Sequence, residues 1–359
     1  MHSDQTSQNR SLSPSENKLT TIRDLTHEQI ADLMAEFKQP AFRVKQIEDW
    51  IWNKHVENFD QMTNLPASLR EKLASHFSIA LSSEIARQVS SDGCRKYLLQ
   101  FSDGNSVECV GIPSKNRLSV CVSTQAGCGM KCAFCATGKS GLSRSLKAEE
   151  IYDQVIHAQN DFGTRVSSVV FMGQGEPFAN YDETLKALRM LNKSETLGIG
   201  ARHLTVSTCG VVPMIHKFAK EPEQFTLAIS LHSAVQKTRD ALMPGVKKWS
   251  LLRLWDAMQA YVDLTGRRPT YEYALIAGIN DTEEELAALR DFTSGTLAHV
   301  NLIMLNHVSG SPFEPSSEAR AQHFIQTLNA AGVDATLRDS RGSDIDAACG
   351  QLKQKYSSN

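Results

Sequence analysis

Between residues 118 and 337 the chain repeats one pattern, a short apolar run followed by a stretch of helical periodicity. The runs fall at 118–123, 168–172, 204–207, 226–230, 271–276, 300–304 and 334–337. Strands separated by helices cannot close as hairpins, so the pattern predicts crossovers and a parallel sheet with helices on its face. The helix after Ser145 carries Ile151 and Val155 on one side, and the helix after Glu318 carries Phe324, Ile325 and Leu328. A closed or partly closed α/β barrel follows, with its functional site at the carboxyl ends of the strands.

Upstream the period changes. Ile30, Leu33 and Met34, then Ile47, Trp50 and Ile51, then Leu65, Leu69 and Leu73 recur at steps of three and four, which predicts a small helical domain. Residues 98–112 read as a hairpin turning at Asp103-Gly104-Asn105. Residues 1–18 are rich in Ser, Gln and Asn without an apolar period, the composition of a disordered leader. The expected division is a leader at 1–18, a helical accessory domain at 19–85, a hairpin extension at 86–117, a barrel at 118–353 and a tail at 354–359.

With 41% hydrophobic and 22% charged residues, the chain has globular composition, which excludes disordered and fibrous classes. No apolar run approaches the roughly 18 residues of a membrane span, and the leader has no hydrophobic centre, so a cytoplasmic protein without membrane contact is expected. Lys plus Arg number 38 against 40 for Asp plus Glu, so any nucleic-acid contact needs a local basic face. Arg43, Lys45, Arg70 and Lys72, interleaved with Trp50 and Trp52, are the candidates, against the alternative of a solvated face over two core tryptophans.

In a reducing compartment, eight cysteines point to metal, redox or nucleophilic roles. Cys128, Cys132 and Cys135 share one loop-sized segment directly after the first barrel strand, where three thiolates can converge on a metal centre and leave a position open. A structural zinc is the alternative, and it needs Cys121 or Cys109 as a fourth ligand. The strand ends favour a ligand site, because Gly173-Gln174-Gly175-Glu176-Pro177, Ser207-Thr208, Ser230-Leu231-His232 and Asn306 place small or polar residues there. Phe178 replaces the third glycine of a dinucleotide fingerprint. Bare backbone beside the Glu176 carboxylate suits a ligand with an ammonium group.

Cys128, Cys132 and Cys135, with Phe134 before the third, resemble the radical S-adenosylmethionine signature, and Gly175-Glu176-Pro177 resembles that superfamily's motif for the methionine ammonium. Arg341-Gly342-Ser343-Asp344-Ile345-Asp346-Ala347-Ala348-Cys349-Gly350-Gln351-Leu352 resembles the carboxyl-terminal motif of the RlmN and Cfr family of RNA adenosine methyltransferases. The resemblance extends to Val107-Glu108-Cys109-Val110, Ile112-Pro113, Cys121, Phe42-Arg43 and 65–73, and so spans about 25–353. It departs at Gln174, where a methionine is common, at Cys209, and in the acidic balance.

The resemblance implies a partial six-unit (βα)6 TIM-like barrel with the helical domain attached, and one 4Fe-4S cluster on Cys128, Cys132 and Cys135. It implies S-adenosylmethionine contacts from Gly175, Glu176, Ser207, Ser230, Leu231, His232 and Asn306. Adenine C2 and C8 are poor nucleophiles, and a radical route avoids the barrier to polar methyl transfer. In the family, one S-adenosylmethionine methylates the cysteine matching Cys349, and a second is cleaved to a radical that takes hydrogen from that methyl. The methylene then adds to the base, Glu108 matches the residue that removes the ring proton, and Cys121 matches the thiol that releases the product through a transient disulfide.

The implied substrate is an adenosine of the 23S rRNA peptidyl transferase centre, methylated at C2, with tRNA anticodon loops as a further target. The base must be unstacked to react. An electron donor such as flavodoxin or ferredoxin and a monomeric state complete the expectation. Two alternatives stand beside it: Cfr-type C8 methylation, which confers antibiotic resistance, and a non-catalytic iron-sulfur RNA-binding protein, which the Glu108, Cys121 and Cys349 set opposes. Without the resemblance, Cys349 reads as a small packed residue, Glu108 as a solvated strand residue and His232 as a structural histidine. Cys94, Cys109 and Cys209 read as packing residues.

Overall fold

The computed structural model describes residues 20–352 except 55, 57, 80 and 309, so the expected leader and the 354–359 tail lie outside the described residues. The chain forms two compact units, 1–80 and 81–359.

In the first unit, β1 (Thr20–Thr21) pairs in parallel with β2 (Phe77–Ser78). Between them run α1 (His27–Glu36), α2 (Phe42–Glu48), continued by a π-helical turn at Asp49–Asn53, and α3 (Ala67–His76). A capping box starts α1: the Thr26 hydroxyl accepts the Gln29 N–H at 3.3 Å, and the Gln29 side chain accepts the Thr26 N–H at 2.8 Å. The three- and four-residue spacing delivers one core, in which Ile30, Met34, Ile47, Ile51, Leu65, Leu69 and Leu73 are buried. Trp50 and Trp52 pack against that core. The neighbouring basic residues have partners within the unit. Arg43 donates to Gln46 at 2.6 Å and to the Asn64 carbonyl at 2.8 Å, Arg70 donates to the Asp60 carbonyl at 2.7 Å, and the Lys72 ammonium lies 3.9 Å from the Phe37 ring centre.

The second unit opens with the antiparallel strands β3 (Ser82–Val89), β4 (Arg95–Phe101) and β5 (Ser106–Ser114), leading into β6 (Arg117–Cys121). A side hairpin of β7 (Gln125–Gly127) and β8 (Leu142–Ser145) flanks the short α4 (Ala136–Ser140). Strands and helices then alternate: α5 (Ala148–Phe162), β9 (Val166–Phe171), α6 (Tyr181–Asn192), β10 (Leu204–Thr208), α7 (Val212–Phe218), β11 (Thr226–Ser230), α8 (Gln236–Leu242) and α9 (Leu251–Thr265). The last units are β12 (Thr270–Leu275), α10 (Glu283–Thr293), β13 (His299–Met304), α11 (Glu318–Ala330) and β14 (Asp334–Arg338).

One sheet has the order β14-β13-β12-β11-β10-β9-β6-β5-β4-β3. All steps from β6 through β9 to β14 are parallel, so six strand-helix units are followed by a seventh parallel strand. Each of the seven apolar runs becomes one of these strands. Among the described residues β14 and β3 do not pair, which leaves the barrel open. The expected hairpin gains β3 as a third strand. Its sequence, Ser-Ser-Glu-Ile-Ala-Arg-Gln-Val, hides it from apolar periodicity, because an edge strand is mostly solvated and charged residues protect it from further pairing.

Asp161, near the end of α5, ties that helix to the meander. Its carboxylate accepts the Tyr97 hydroxyl at 2.6 Å and an Arg95 N–H at 2.7 Å, and it also pairs with Arg87. Burial works to raise this carboxyl, but Tyr97 and the two guanidinium groups outweigh burial and hold it below the ordinary aspartate value. Asp161→Ala strands these donors, and a loss of about 2–4 kcal/mol is expected. Thermal melting checks this: a midpoint drop of several degrees is the expected result, and an unchanged midpoint contradicts it.

Candidate functional site

The carboxyl ends of the parallel strands meet at one cavity of about 380 Å³. Cys121 ends β6, Met172, Gly173, Gly175, Glu176 and Pro177 follow β9, Ser207 and Cys209 come from the end of β10, and Ser230 and His232 from that of β11. Asn306 follows β13, and Arg338 ends β14. Cys128, Cys132 and Cys135 line the same cavity, as does Cys349.

The cysteine loop is held by backbone contacts: the Cys128 N–H donates to Gly141 O at 2.8 Å and the Ala133 N–H to Leu242 O at 2.9 Å. Gly138 of α4 lets that helix press on the loop, since a Cβ there would lie 2.9 Å from the Cys132 nitrogen. Burial raises the Cys128 thiol to about 11 and raises Cys132 further. Among the described residues no three His, Cys, Asp or Glu side chains close on one point as a single ion requires. Cys109 does not line the cavity, so it is not placed as a fourth zinc ligand.

Glu176 is buried at the cavity wall with both oxygens engaged: one accepts the Phe178 N–H at 2.9 Å, the other the Cys209 N–H at 2.8 Å. Burial pushes its carboxyl up, while the Cys209 and Phe178 donors oppose that shift. Gly175 permits this placement. Its φ is +102°, and a Cβ would come within 2.7 Å of the Gln125 Cβ. His232, at φ +54°, accepts the Ala274 N–H on Nδ1 at 3.0 Å, which fixes the ring proton on Nε2. Its ring meets Phe134 edge-on at 4.8 Å, and burial lowers its pKa to about 3.

The segment carrying Cys349 is fastened at several points. Arg341 and the Gly342 N–H both reach the Asp92 carboxylate at 2.9 Å. Asp344 accepts the Ser90 hydroxyl at 2.6 Å and the Ser91 N–H at 3.0 Å. Beyond Cys349, the Ala136 N–H donates to Gly350 O at 2.8 Å and the Thr137 hydroxyl to Leu352 O at 2.6 Å. Asn306 donates to the Cys349 carbonyl at 3.2 Å. Cys349 is exposed and Cys121 buried. Burial raises the Cys121 thiol to about 12, with the Cys349 sulfur adding to the shift and Arg338 opposing it.

Glu108 and Leu231 are not on the cavity wall. Glu108 is buried on β5 in an ion pair with Lys96 at 3.3 Å, and the fully buried Leu231 donates its N–H to Glu272 O at 3.0 Å. Several residues that sequence reasoning passed over belong to the site. Gln174 is 2% exposed and its side-chain oxygen accepts the Glu108 N–H at 3.3 Å, so this departure from the family pattern links the β9 loop to β5. Cys209 holds Glu176 through its N–H, and its carbonyl accepts the buried Arg239 at 2.7 Å. Arg338 contacts the Met172 sulfur at 3.3 Å and Glu272 at 3.4 Å. A lone arginine at the end of a parallel strand was the available signal.

A family model described as the radical SAM superfamily matches residues 122–292, and one described as the ribosomal RNA large subunit methyltransferase N-terminal domain matches residues 20–79. A protein named probable dual-specificity RNA methyltransferase RlmN, from Clostridium perfringens (strain 13 / Type A), is 44% identical over 339 residues, covering 94% of this chain and 98% of its own. The chain belongs to the RlmN family of radical SAM methyltransferases. A relative of the same name from Geobacillus kaustophilus (strain HTA426) is 42% identical over 349 residues, 96% of each chain. The crystal structure of a radical SAM methyltransferase from Sphaerobacter thermophilus matches with a TM-score of 0.88 at 40% identity, covering 93% of this chain and 99% of that one.

The radical SAM family implies S-adenosylmethionine and a 4Fe-4S cluster. The donor set in this RlmN-family chain fits both: three thiols on one cavity wall, and a fixed carboxylate beside backbone that only glycine leaves open. The neutral His232 gives a prediction for the metal-free chain. The unfolded state takes up its proton below about 6.5, and the folded state resists until far lower pH, so this contribution to stability falls as pH drops through that window. Between pH 7 and 5 the native chain should lose about 2 kcal/mol more than His232→Gln. Urea unfolding at the two pH values measures this, and equal losses contradict it.

Proposed function

We propose that this chain methylates C2 of an adenosine in the peptidyl transferase centre of 23S rRNA, and of an adenosine in tRNA anticodon loops, by way of a methyl group carried on Cys349. The observation that carries the reading is the placement of an exposed Cys349 and a buried Cys121 on one cavity that the three-cysteine loop also lines. The relatives named dual-specificity RNA methyltransferase support two RNA substrates.

Cys128, Cys132 and Cys135 would hold the cluster, which when bound supplies the electron that cleaves S-adenosylmethionine to methionine and a 5′-deoxyadenosyl radical. Glu176 takes the methionine ammonium, with its carboxylate already oriented by two backbone N–H groups. The Nε2–H of His232 and the hydroxyls of Ser207 and Ser230 supply polar contacts from the neighbouring strand ends, Asn306 and the backbone of Gly175 complete the pocket, and Leu231, buried behind the wall, holds the turn between Ser230 and His232. Two molecules of S-adenosylmethionine are used per product.

The Cys349 thiolate takes the first methyl. The 5′-deoxyadenosyl radical would take a hydrogen atom from that methyl to give 5′-deoxyadenosine, the methylene carbon bonds to C2 of the unstacked adenine, and the one electron shed by the adduct would return to the oxidised cluster held by Cys128, Cys132 and Cys135. The Glu108 carboxylate accepts the ring proton. Cys121 then attacks the Cys349 sulfur: the S–S bond forms, the S–C bond breaks, and the released carbon takes up a proton to become the product methyl. Arg338 favours the ionised form of Cys121. Among the described residues no helix is long and apolar enough to cross a membrane, and the reading places the protein in the cytoplasm as a monomer reduced by a flavodoxin or ferredoxin.

The test is nucleoside mass spectrometry of 23S rRNA and tRNA from a host lacking the activity, with and without this chain. 2-Methyladenosine in both RNAs is expected. The 8-methyl isomer, or neither isomer with the cluster intact, overturns the reading.

A further inference from the structure

Lys96 and Glu108 form a pair rarely found inside a sheet. They are diagonal neighbours on one face of the β4–β5 ladder, where Lys96 pairs with Val110 and Leu98 with Glu108. Their charged groups stand 3.3 Å apart, and each side chain is only 5% exposed. Taking both charges out of water costs several kcal/mol per ion, and a hydrophobic pair of equal volume is often as stable. Stability alone therefore gives little reason for this pair.

Lys96 has a second contact. Its ammonium donates to the Asp346 carbonyl at 3.2 Å. Asp346 lies three residues before Cys349 and holds a left-handed backbone, φ +52°, a conformation disfavoured for any residue with a Cβ. The lysine thus joins Glu108 to the segment that carries Cys349, at the point where that segment is bent. The salt bridge from Arg341 to Asp92 and the bonds from Ser90 and Ser91 to Asp344 hold the same segment against the turn before β4, so Lys96 extends a line of contacts running toward Cys349.

We propose that Lys96 is a positioning residue for the methyl transfer: it keeps the Glu108 carboxylate ionised for proton removal and sets it in register with the Cys349 segment. This rests on the reading of Glu108 as the base. In the step concerned, the C–H bond at the adduct's ring carbon breaks, an O–H bond forms on Glu108, and the electron pair stays in the ring. It is then available as Cys121 displaces the methylene carbon from the Cys349 sulfur.

The titratable groups on the surrounding elements are Cys94 before β4, Cys121 on β6, and Asp346 and Cys349 in the terminal segment, with Glu84 of β3 and Asp153 of α5 acting around Cys109. Among these neighbours the Lys96 ammonium, 3.3 Å away, is the close opposite charge on Glu108. Without it, the carboxylate loses that charge and should hold its proton to higher pH.

The experiment uses the reconstituted holoenzyme, with 23S rRNA as substrate and three readouts: methylation of Cys349, the covalent protein–RNA adduct, and the pH profile of 2-methyladenosine formation. Lys96→Met should still methylate Cys349, accumulate adduct during turnover, and move the acid limb of the profile up by about 1–3 pH units. Lys96→Arg should restore the native profile in large part. A Lys96→Met enzyme with native adduct levels and a native profile overturns the proposal, as does one that loses Cys349 methylation in proportion to product. If Lys96→Met does not fold, an Arg variant whose profile and adduct level match the native enzyme supports the proposal, and one that methylates Cys349 but never clears adduct overturns it. Glu108→Gln separates the two readings: native product formation there removes the base assignment itself, whereas a block there with an unaffected Lys96→Met removes only the role of Lys96.

Discussion

The site depends on how the last described residues are fastened across the open barrel. A chain leaving β14 has no further strand to join, and a free segment would carry Cys349 anywhere. Here the Asp92 and Asp344 carboxylates anchor it on one side, and the Ala136 N–H and Thr137 hydroxyl capture the carbonyls of Gly350 and Leu352 on the other. Cys349 lies between these anchor sets. Because α4 also follows directly on Cys135, the segment and the three-cysteine loop share one support, which fixes both against the same cavity.

Burial then divides the cysteines by task. An exposed thiol is open to methyl transfer, while a fully buried one at about 12 stays protonated and inert until a charge or a leaving group nearby changes its balance. Cys121 fits a thiol held in reserve, with Arg338 the group that favours its ionised form. The same low-dielectric surroundings raise the free Cys128 and Cys132 thiols, so metal binding at this loop must release protons and should strengthen with pH.

The seven parallel strands were legible because each is a short apolar run bounded by helical periodicity, and Ile151, Val155, Phe324 and Leu328 mark helix faces that the structure buries. Polar β3 was not legible, since nothing in an edge strand's composition separates it from a loop. Within the site, strand-end position exposed Glu176, Ser207, Ser230, His232 and Asn306, all of which meet at the cavity. The contributions of Cys209 and Gln174 were hidden because each is a contact with a residue distant in sequence: the Cys209 amide holds Glu176, and the Gln174 side-chain oxygen takes the Glu108 N–H. Arg338 and Lys96 were hidden for another reason. Arg338 carries only the signal of its strand-end position and Lys96, an isolated basic residue inside a strand, carries none, so only the fold shows what each faces. Trp50 and Trp52 read as stacking platforms or as core, and the structure packs both, half-buried, against the helical core.

The most direct test of the account is where the first methyl group goes. The chain is reconstituted anaerobically, incubated with S-adenosylmethionine carrying a labelled methyl, digested, and read by tandem mass spectrometry. The account predicts label on the Cys349 sulfur and on none of the other seven cysteines. Label on Cys121, or methylation of RNA with Cys349 never labelled, contradicts it.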